Sequence, residues 1–202
     1  MSLETQLLKM ILKKFSEEYN HQMILGATII IVFLFFVIIT FAFQKLSPIP
    51  YYPSNKKDLP LIIKALKLTN NQTVVDLGAG DGKVVFEAAK KTHQQGLNTK
   101  FIAVEINPLL VAILNIRRHL SLNRENIQIV WADLFKFKLN SSPVTRHTVY
   151  LYVSPWLIEK IVKNVRKQLP NVHFVSYFYP IKSLRKKQIV RKGVNSVFSY
   201  QV

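Results

Sequence analysis

The pattern of apolar and polar positions changes twice along the 202 residues of the chain. Residues 2–20 place apolar side chains along one helical stripe and charges elsewhere, which predicts an amphipathic helix over residues 1–22. Residues 23–43 then form a run of 21 residues without a charge. From residue 61 onwards, short apolar runs typical of strands alternate with amphipathic stretches typical of helices. The chain therefore combines an apolar N-terminal part with a C-terminal part of α/β pattern.

The uncharged run has the length of a membrane-spanning helix. A helix needs roughly 20 apolar residues to cross the hydrocarbon layer, whereas a signal peptide has an apolar stretch of only about 7–15 residues. The run also shows no polar face at helical spacing, which a surface helix of a soluble protein would have. We therefore predict one transmembrane helix over residues 23–43. The amphipathic segment before it either lies on a membrane surface or a partner helix, or simply extends the transmembrane helix.

A proline-rich segment follows the uncharged run. Four prolines fall within residues 48–60, and this density is incompatible with one regular helix because proline has no backbone N–H to donate. The composition predicts an extended connector over residues 44–60. The remaining residues, 61–202, are predicted to form one globular domain.

Strands and helices alternate throughout this domain. Helices are predicted over residues 61–68, 83–92, 108–122 and 155–168. Strands are predicted over residues 73–76, 101–105, 127–131, 147–153, 172–177, 187–190 and 197–202. Such alternation is typical of an α/β fold with right-handed crossovers, so we expect a doubly wound, mostly parallel, seven-stranded sheet. The last two strands are joined by a short turn and should form an antiparallel hairpin at one edge.

Half of the six glycines of the chain lie at alternate positions directly after the first predicted strand, as Gly78, Gly80 and Gly82. Glycines in this place let the backbone adopt positive φ and let a ligand approach the main chain, which is typical of a nucleotide-binding turn. A P-loop is excluded because Val84 follows Lys83 where a serine or threonine is required. The dinucleotide-binding motif fits poorly, because its third glycine comes three residues after the second.

The spacing that remains, D-x-G-x-G-x-G, resembles motif I of the class I S-adenosylmethionine-dependent methyltransferases, which have a Rossmann-like fold. This cofactor carries an ammonium and a sulfonium instead of phosphates, so a carboxylate beside it is attractive. The resemblance implies that Asp76 lies near the methionine end, that Glu105 accepts the ribose hydroxyls, and that Asp133 accepts the adenine amino group. The implied cofactor-binding residues are Asp76, Gly78, Gly80, Gly82, Glu105 and Asp133.

A narrower resemblance extends from about residue 48 to the end of the chain. The segments PYYP at 50–53, VDLGAGDGKVV at 75–85, VEINPLLVAIL at 104–114, DLF at 133–135 and SYFYP at 176–180 resemble the small membrane-anchored protein-lysine methyltransferases. Mitochondrial members of that family act on the ATP synthase c subunit and on the adenine nucleotide translocase. The resemblance implies methyl transfer to a lysine of a membrane protein, with a c-subunit-like protein as one such target.

Aromatic residues are the candidates for the substrate pocket. A lysine side chain has a pKa near ~10.4 in water and must lose its proton before it accepts a methyl group, and an apolar pocket lowers that pKa. Aromatic rings also bind a methylammonium product through cation–π contacts. We take Tyr51, Tyr152, Ser154 and Tyr177 as pocket candidates, although alternate aromatic residues in strands more often pack in a core. The sequence identifies no general base and no metal site.

The formal net charge of +17 leaves other substrates open. The basic segment 182–192 suits the phosphates of RNA and also those of anionic lipids, and we favour lipid because no RNA-binding module accompanies the charge. Methyltransferases acting on RNA, a lipid or a small molecule are the alternatives, together with a non-catalytic membrane-anchored interaction protein. Since nearly all of the positive charge follows the uncharged run, we expect the catalytic domain on the cytoplasmic side of the membrane.

Overall fold

The computed structural model of the chain describes residues 3–44, 52–139, 146–169 and 171–202. It divides into two units, Met1–Leu46 and Ser47–Val202. All seven strands and the apolar core lie in the second unit.

The first unit consists of one α-helix, α1, over Leu3–Gln44. The helix continues through residue 22 without a break, so the predicted amphipathic segment extends the apolar segment instead of forming a helix of its own. Within it, Leu12–Ile38 has a mean hydropathy of 2.4 and is long and apolar enough, by length and composition, to cross a membrane. At 1.5 Å per residue this stretch is about 40 Å long, which exceeds the hydrocarbon thickness of a bilayer.

The second unit begins, in its described part, with the end of the predicted connector. A short 3-10 helix over Lys56–Asp58 leads directly into α2, Leu59–Leu66. The side chain of Asn55 accepts a hydrogen bond from the Lys57 amide and so starts the first of these turns. Helical structure therefore begins a few residues before the predicted end of the connector at residue 60.

The seven strands form one sheet in the order β3-β2-β1-β4-β5-β7-β6. Strands β1 to β5 are parallel to one another, whereas β7 is antiparallel to both β5 and β6. The strand bounds are β1 Gln72–Leu77, β2 Thr99–Glu105, β3 Ile127–Trp131, β4 Arg146–Leu151, β5 Val172–Tyr177, β6 Gln188–Lys192 and β7 Ser196–Gln201. The predicted mostly parallel sheet with an antiparallel hairpin at one edge is confirmed.

Helices cover both faces of this sheet, as expected for a doubly wound fold. Three further α-helices follow α2 in the described part of the chain, namely α3 Lys83–Gln94, α4 Pro108–His119 and α5 Pro155–Gln168. One apolar cluster joins α2, α3 and α4 to the face that includes Phe101 and Tyr150. The other joins α5 to the face that includes Leu151 and Phe174. Side chains therefore alternate between the two clusters along β4, and the site at the ends of the strands rests on a rigid sheet.

Candidate active site

The functional site of an open α/β sheet lies where the strand order reverses, beyond the carboxyl ends of the strands. Here the order runs β3-β2-β1 in one direction and β4-β5 in the other, so the reversal lies between β1 and β4. The glycine turn follows β1, and residues 152–154 follow β4. We call this side of the sheet the carboxyl edge.

All three glycines of the turn have a left-handed backbone, with φ of 87° at Gly78, 59° at Gly80 and 73° at Gly82. The amides of Gly78 and Ala79 donate to the carbonyl oxygen of Val104 at 2.9 and 3.0 Å, which fixes the turn against β2. A β-carbon at Gly82 would overlap the side chain of Leu114. All three glycines therefore suit the left-handed backbone of the turn, and Gly82 is also required by the close packing of α4.

Asp76 is the most deeply buried of the three predicted cofactor acids, with only 3% of its surface exposed. Burial, and then the negative charges of Glu105 and Asp81, raise the pKa of Asp76 to about 8. Among the described residues, no donor forms a hydrogen bond to its carboxylate. A buried carboxylate surrounded by like charges favours a bound cation, and an ammonium group has the charge that this position lacks.

Glu105, at the end of β2, accepts three backbone hydrogen bonds. Its Oε2 accepts from the Gly80 amide at 2.8 Å, and its Oε1 accepts from the amides of Ile106 and Asn107 at 2.9 Å each. The carboxylate therefore holds the glycine turn in place, a role that the sequence did not indicate. The predicted contact of Glu105 with ribose hydroxyls stays a prediction.

Asp133 lies two residues beyond the end of β3 and is partly exposed. Its Oδ1 accepts a hydrogen bond from the Phe135 amide at 2.9 Å, and its carbonyl oxygen accepts from Lys136 and Phe137. These bonds close a turn that keeps Asp133 at the carboxyl edge. Its predicted contact with the adenine amino group also stays a prediction.

Arg117 of α4 supports the glycine turn from the other side, and sequence reasoning missed it. Its guanidinium donates to the Asp81 carbonyl oxygen, lies 3.2 Å from Asp81 Oδ2, and lies 4.8 Å from the centre of the Phe86 ring. The positive charge of Arg117 therefore offsets the negative charge that Asp81 places near Asp76. Sequence spacing gave no signal for this pair, because 36 positions separate its members.

Two of the predicted pocket tyrosines contact each other. The rings of Tyr152 and Tyr177 meet edge to face, with centroids 4.8 Å apart and planes at 77°. The Tyr177 hydroxyl donates to Asp58 Oδ2 and accepts from the Asn195 side-chain amide, both at 2.7 Å. Burial and the bond to Asp58 raise the pKa of Tyr177 to about 12. Tyr177 is only 1% exposed, so its ring supports that of Tyr152 while its hydroxyl stabilises the surrounding fold.

Tyr152 is the more accessible of the two. Burial raises its pKa, and the nearby hydroxyls of Tyr179 and Tyr52 raise it further. Four aromatic residues thus cluster at the carboxyl ends of β4 and β5. Three come from these strand ends and one from the connector; they are Tyr152, Tyr177, Tyr179 and Tyr52. Ser154 precedes α5 and is half-buried, and Tyr51 lies outside the described residues.

Phe178 has an unusual backbone at the end of β5. Its φ is 73°, and the Tyr179 amide donates to the Tyr177 carbonyl oxygen at 2.9 Å, which makes a three-residue γ-turn of the strained hand. The Phe178 amide donates to the Ser196 carbonyl oxygen, and the Phe178 ring meets that of Tyr179 edge to face at 4.7 Å. The Phe178 side chain is nevertheless 44% exposed at the carboxyl edge. A non-glycine residue held in this conformation is characteristic of functional sites.

The connector contributes directly to the site through Ser54. The Ser54 and Tyr150 hydroxyls form a hydrogen bond at 3.0 Å, and the Ser54 carbonyl oxygen accepts from Lys83 Nζ at 3.4 Å. Burial raises the pKa of Tyr150 well above its ordinary value, and the nearby charge of Asp76 adds to this. Ser54 is itself buried, so this segment covers the start of the site.

Comparison with known families shows to which family the chain belongs. Residues 76–188 match the model of the ANTKMT methyltransferase domain, a span that begins at Asp76 and ends at the start of β6. The chain belongs to this family of methyltransferases. The predicted family resemblance and the predicted methyltransferase activity are therefore confirmed.

Several relatives are similar over most of the chain. A protein-lysine N-methyltransferase of Saccharolobus islandicus is 26% identical over 145 residues, or 71% of this chain and 84% of that protein. The adenine nucleotide translocase lysine N-methyltransferase of Mus musculus is 24% identical over 76% of this chain and 63% of that protein. The ATP synthase c-subunit lysine N-methyltransferase of Xenopus laevis is 24% identical over 80% of this chain and 66% of that protein. The chain thus spans somewhat less than two thirds of the mouse and frog proteins.

A solved structure supports the fold. The RNA methyltransferase of Salinibacter ruber in complex with S-adenosyl-L-homocysteine aligns with a TM-score of 0.62 at 21% identity. The alignment covers 75% of this chain and 94% of that one. It confirms the Rossmann-like methyltransferase architecture.

S-adenosylmethionine is the methyl donor of the family, and the site residues fit it. This cofactor supplies an electrophilic methyl group on a positively charged sulfur. The buried carboxylate of Asp76 fits the ammonium of its methionine part, and the left-handed glycines leave the main chain open to a ligand. The predicted cofactor is therefore confirmed, whereas the assignment of individual contacts stays a prediction.

Proposed function

We propose that the protein is a membrane-tethered protein-lysine N-methyltransferase that modifies a lysine of a membrane protein. The observation that carries this proposal is the aromatic cluster around Tyr152, which lies beside the glycine turn in a chain related to lysine methyltransferases. A β-carbon at Gly78 would lie 3.5 Å from Val153, the residue next to Tyr152, so the two parts of the site adjoin.

The cluster suits a lysine in two ways. Its rings disfavour the charged form of the amine by excluding water, which lowers the lysine pKa towards neutral pH. The same rings attract the methylammonium product through their negative faces. Methyl transfer is an in-line displacement, so holding the amine and the methyl group in line supplies much of the rate acceleration. Tyr152 and Ser154 line the substrate side in this proposal, with the buried ring of Tyr177 packed against Tyr152. Asp76, Gly78, Gly80, Gly82, Glu105 and Asp133 hold the cofactor.

The relatives support a membrane-protein substrate. The mouse and frog enzymes are named for the adenine nucleotide translocase and for the ATP synthase c subunit, respectively. Helix α1 would anchor this enzyme in the same bilayer as such a target, with the catalytic domain on the cytoplasmic side. Anchoring raises the effective concentration of enzyme near its substrate without any new contact. A c-subunit-like protein is therefore the first target to test.

Methyl labelling of fractionated cell material tests the proposal. The purified full-length protein would receive tritium-labelled S-adenosylmethionine and a lysate of its own source, separated into membrane proteins, soluble proteins, RNA and lipid. Gly80→Arg is the blank, because a long side chain at a residue with φ of 59° would disrupt the glycine turn. We expect label on lysine of a small membrane protein. Label in RNA or lipid would agree with methyltransferase activity but would overturn the proposed substrate.

Deletion of residues 1–46 tests the tether separately. The remaining unit contains the whole sheet, so the variant should retain affinity for S-adenosylhomocysteine, measured by calorimetry. Labelling of membrane proteins should fall, whereas equal labelling by the truncated and full-length enzymes would show that α1 does not act as a tether.

A further inference from the structure

The outward face of α5 carries one aromatic residue followed by a row of lysines. Trp156, Lys160, Lys163 and Lys167 are spaced by four, three and four positions, so they form one stripe along the helix, and all four are exposed. The opposite face of the helix buries Ile158, Ile161, Val162 and Val165 in the core. The stripe is therefore held rigidly by the packing of α5 on the sheet.

A short 3-10 helix over Lys182–Lys187 adjoins this face. Its first two amides, of Lys182 and Ser183, donate to Oε1 of Glu159 at 2.7 and 3.3 Å. Lys163, Arg166 and Lys167 line the groove between Glu159 and Ser183. We define the α5 surface as Trp156, Lys160, Lys163, Arg166, Lys167 and Lys182.

The charge of this surface is not balanced by neighbouring acids. Residues 134–202 contain thirteen lysines and arginines but a single acidic residue, Glu159. That carboxylate is already bonded to the two backbone amides of the 3-10 helix. Among the described residues, no lysine or arginine of the α5 surface lies within ion-pair distance of a carboxylate. Lys160 instead lies 4.5 Å from the centre of the Phe135 ring, which orders it without neutralising it. An external polyanion is the complement of such a surface.

We propose that the α5 surface binds the anionic phospholipid headgroups of the membrane that holds the enzyme, an inference that rests on the proposed anchoring by α1. Each lysine close to an anionic bilayer strengthens binding roughly fivefold, and tryptophan prefers the interface between headgroups and acyl chains. A single exposed tryptophan at the end of a row of cations matches a lipid interface. It does not match a single-stranded nucleic acid, which is bound by several aromatic residues that stack on successive bases.

The consequence for catalysis follows from the position of Trp156. It lies two residues after Ser154, in the first turn of α5, directly beyond the carboxyl end of β4. Insertion of this residue at the interface turns the carboxyl edge, and with it the aromatic cluster, towards the bilayer. A lysine at the membrane surface of an integral protein then lies within reach. The surface thus favours targets close to the headgroups over soluble proteins.

The two tryptophans of the chain provide the measurement. They are Trp131 and Trp156, with 65% and 71% of their surface exposed. Trp131→Phe leaves Trp156 as the only emitter, and Trp156→Phe leaves Trp131. The full chain would be reconstituted in nanodiscs of phosphatidylcholine with or without phosphatidylserine, with brominated acyl chains as quenchers. Trp131 ends β3, three strands away from β4 along the carboxyl edge. We expect quenching and a blue shift of Trp156 emission only with phosphatidylserine, weakened by salt, and much weaker quenching of Trp131.

Charge reversal provides the matched control. Lys163→Glu with Lys167→Glu should abolish the quenching of Trp156. Lys90→Glu with Lys91→Glu makes the same change in net charge on exposed positions of α3, which packs on the opposite face of the sheet. This variant should preserve the quenching of Trp156. Equal thermal melting of both variants would show that the fold is intact.

Three results would overturn the proposal. These are equal quenching of both tryptophans, quenching that does not depend on phosphatidylserine, or quenching lost equally in both charge-reversal variants. Binding of an RNA oligomer that requires Lys163 and Lys167, without any effect of phosphatidylserine, would identify a nucleic-acid surface instead. Failure of the chain to enter the nanodiscs would overturn the anchor, and co-sedimentation of the same variants with phosphatidylserine vesicles would then decide the α5 surface by itself.

Discussion

The Glu105 carboxylate accepts a hydrogen bond from the Gly80 amide at 2.8 Å, so the acid that ends β2 fixes the glycine turn that follows β1. The two residues are 25 positions apart in the chain. Glu105 also accepts the amides of Ile106 and Asn107 and therefore connects the turn to the start of α4. Two parts of the proposed cofactor site thus depend on one carboxylate.

Glu105→Gln should weaken both the fold and cofactor binding. The amide NH₂ of glutamine would face one of the three N–H donors, which leaves a buried amide unsatisfied and costs about 2 kcal/mol. We expect a lower free energy of unfolding in urea and weaker binding of S-adenosylhomocysteine in calorimetry. Glu87→Gln, on the exposed face of α3, is the control and should change neither. Unchanged affinity in Glu105→Gln would show that the turn holds its shape without this carboxylate.

The stability of the cofactor-free protein should depend on pH through Asp76. Its folded pKa of about 8 lies above the ordinary value of 3.8, so the unfolded chain releases this proton first as pH rises. The contribution of Asp76 to stability is therefore fully present below the unfolded pKa and is lost as pH rises towards 8, by at most ~1.4 kcal/mol per pH unit. Asp76→Asn should remove this dependence and should be the more stable protein at neutral pH.

Urea unfolding of both proteins between about pH 5.5 and about 7.5 tests this, with an expected difference of ~2 kcal/mol across the range. Asp76→Asn should also lose affinity for S-adenosylhomocysteine, because it no longer offers a negative charge to the ammonium. Parallel pH profiles for the two proteins would mean that Asp76 is ionised in the folded state at neutral pH.

The sequence predicted the regular parts of this fold closely, for a physical reason. The structure has the predicted bounds for α5, β3 and β5, because their apolar periodicity begins and ends sharply. Helix α4 ends at His119 instead of the predicted residue 122, and Leu120 and Leu122 are more than four-fifths exposed. Apolar character alone extended that prediction, although these two side chains contribute little to the core.

The supporting contacts of the site could not be predicted in the same way. Asp58 bonds to Tyr177 and Asn195, and Ser54 bonds to Tyr150, across separations of 96 to 137 positions. Such pairs arise from the crossing of chain segments in three dimensions, and no local periodicity encodes them. The sequence therefore proposes which residues carry the chemistry, whereas only the structure shows which contacts hold them in place.

Gly82→Ala should be far more harmful than the same change at Gly96. Both glycines have positive φ, 73° and 65°, so both alanine variants are strained by about 1 kcal/mol. At Gly82 the new methyl group would also overlap Leu114, whereas Gly96 has open space. We expect Gly82→Ala to lose roughly 2 kcal/mol more stability than Gly96→Ala, since overpacking has this cost. Equal thermal melting of the two variants would show that α4 moves aside freely.

Asp58 should protect the fold against unfolding at neutral pH and lose this effect in acid. Burial opposes its charge, but hydrogen bonds from Tyr177, Asn195 and Val194 outweigh burial and lower the pKa of Asp58. A lowered pKa gives stability that is present above the unfolded value and is lost as pH falls through the folded value. Asp58→Asn should cost about 2 kcal/mol at neutral pH, because its NH₂ group faces buried donors.

The difference between wild type and Asp58→Asn should shrink below about pH 4, which urea unfolding can follow. Glu125→Gln removes an exposed carboxylate and serves as the control, with no expected difference at either pH. A constant difference across this range would show that the hydrogen bonds, and not the charge, account for the effect.

Phe178 should show a conflict between stability and activity. Its positive φ costs roughly 1 kcal/mol that glycine would not lose, so Phe178→Gly should be more stable than Phe178→Ala in urea, although both lack the ring. Both variants should bind S-adenosylhomocysteine as wild type does but should label membrane proteins poorly. Phe178→Tyr keeps the ring and should restore labelling. If Phe178→Ala labels membrane proteins as well as wild type does, the Phe178 ring has no role at the substrate side. If glycine restores stability without restoring labelling, the protein retains a strained backbone there because that conformation presents an aromatic ring at the carboxyl edge.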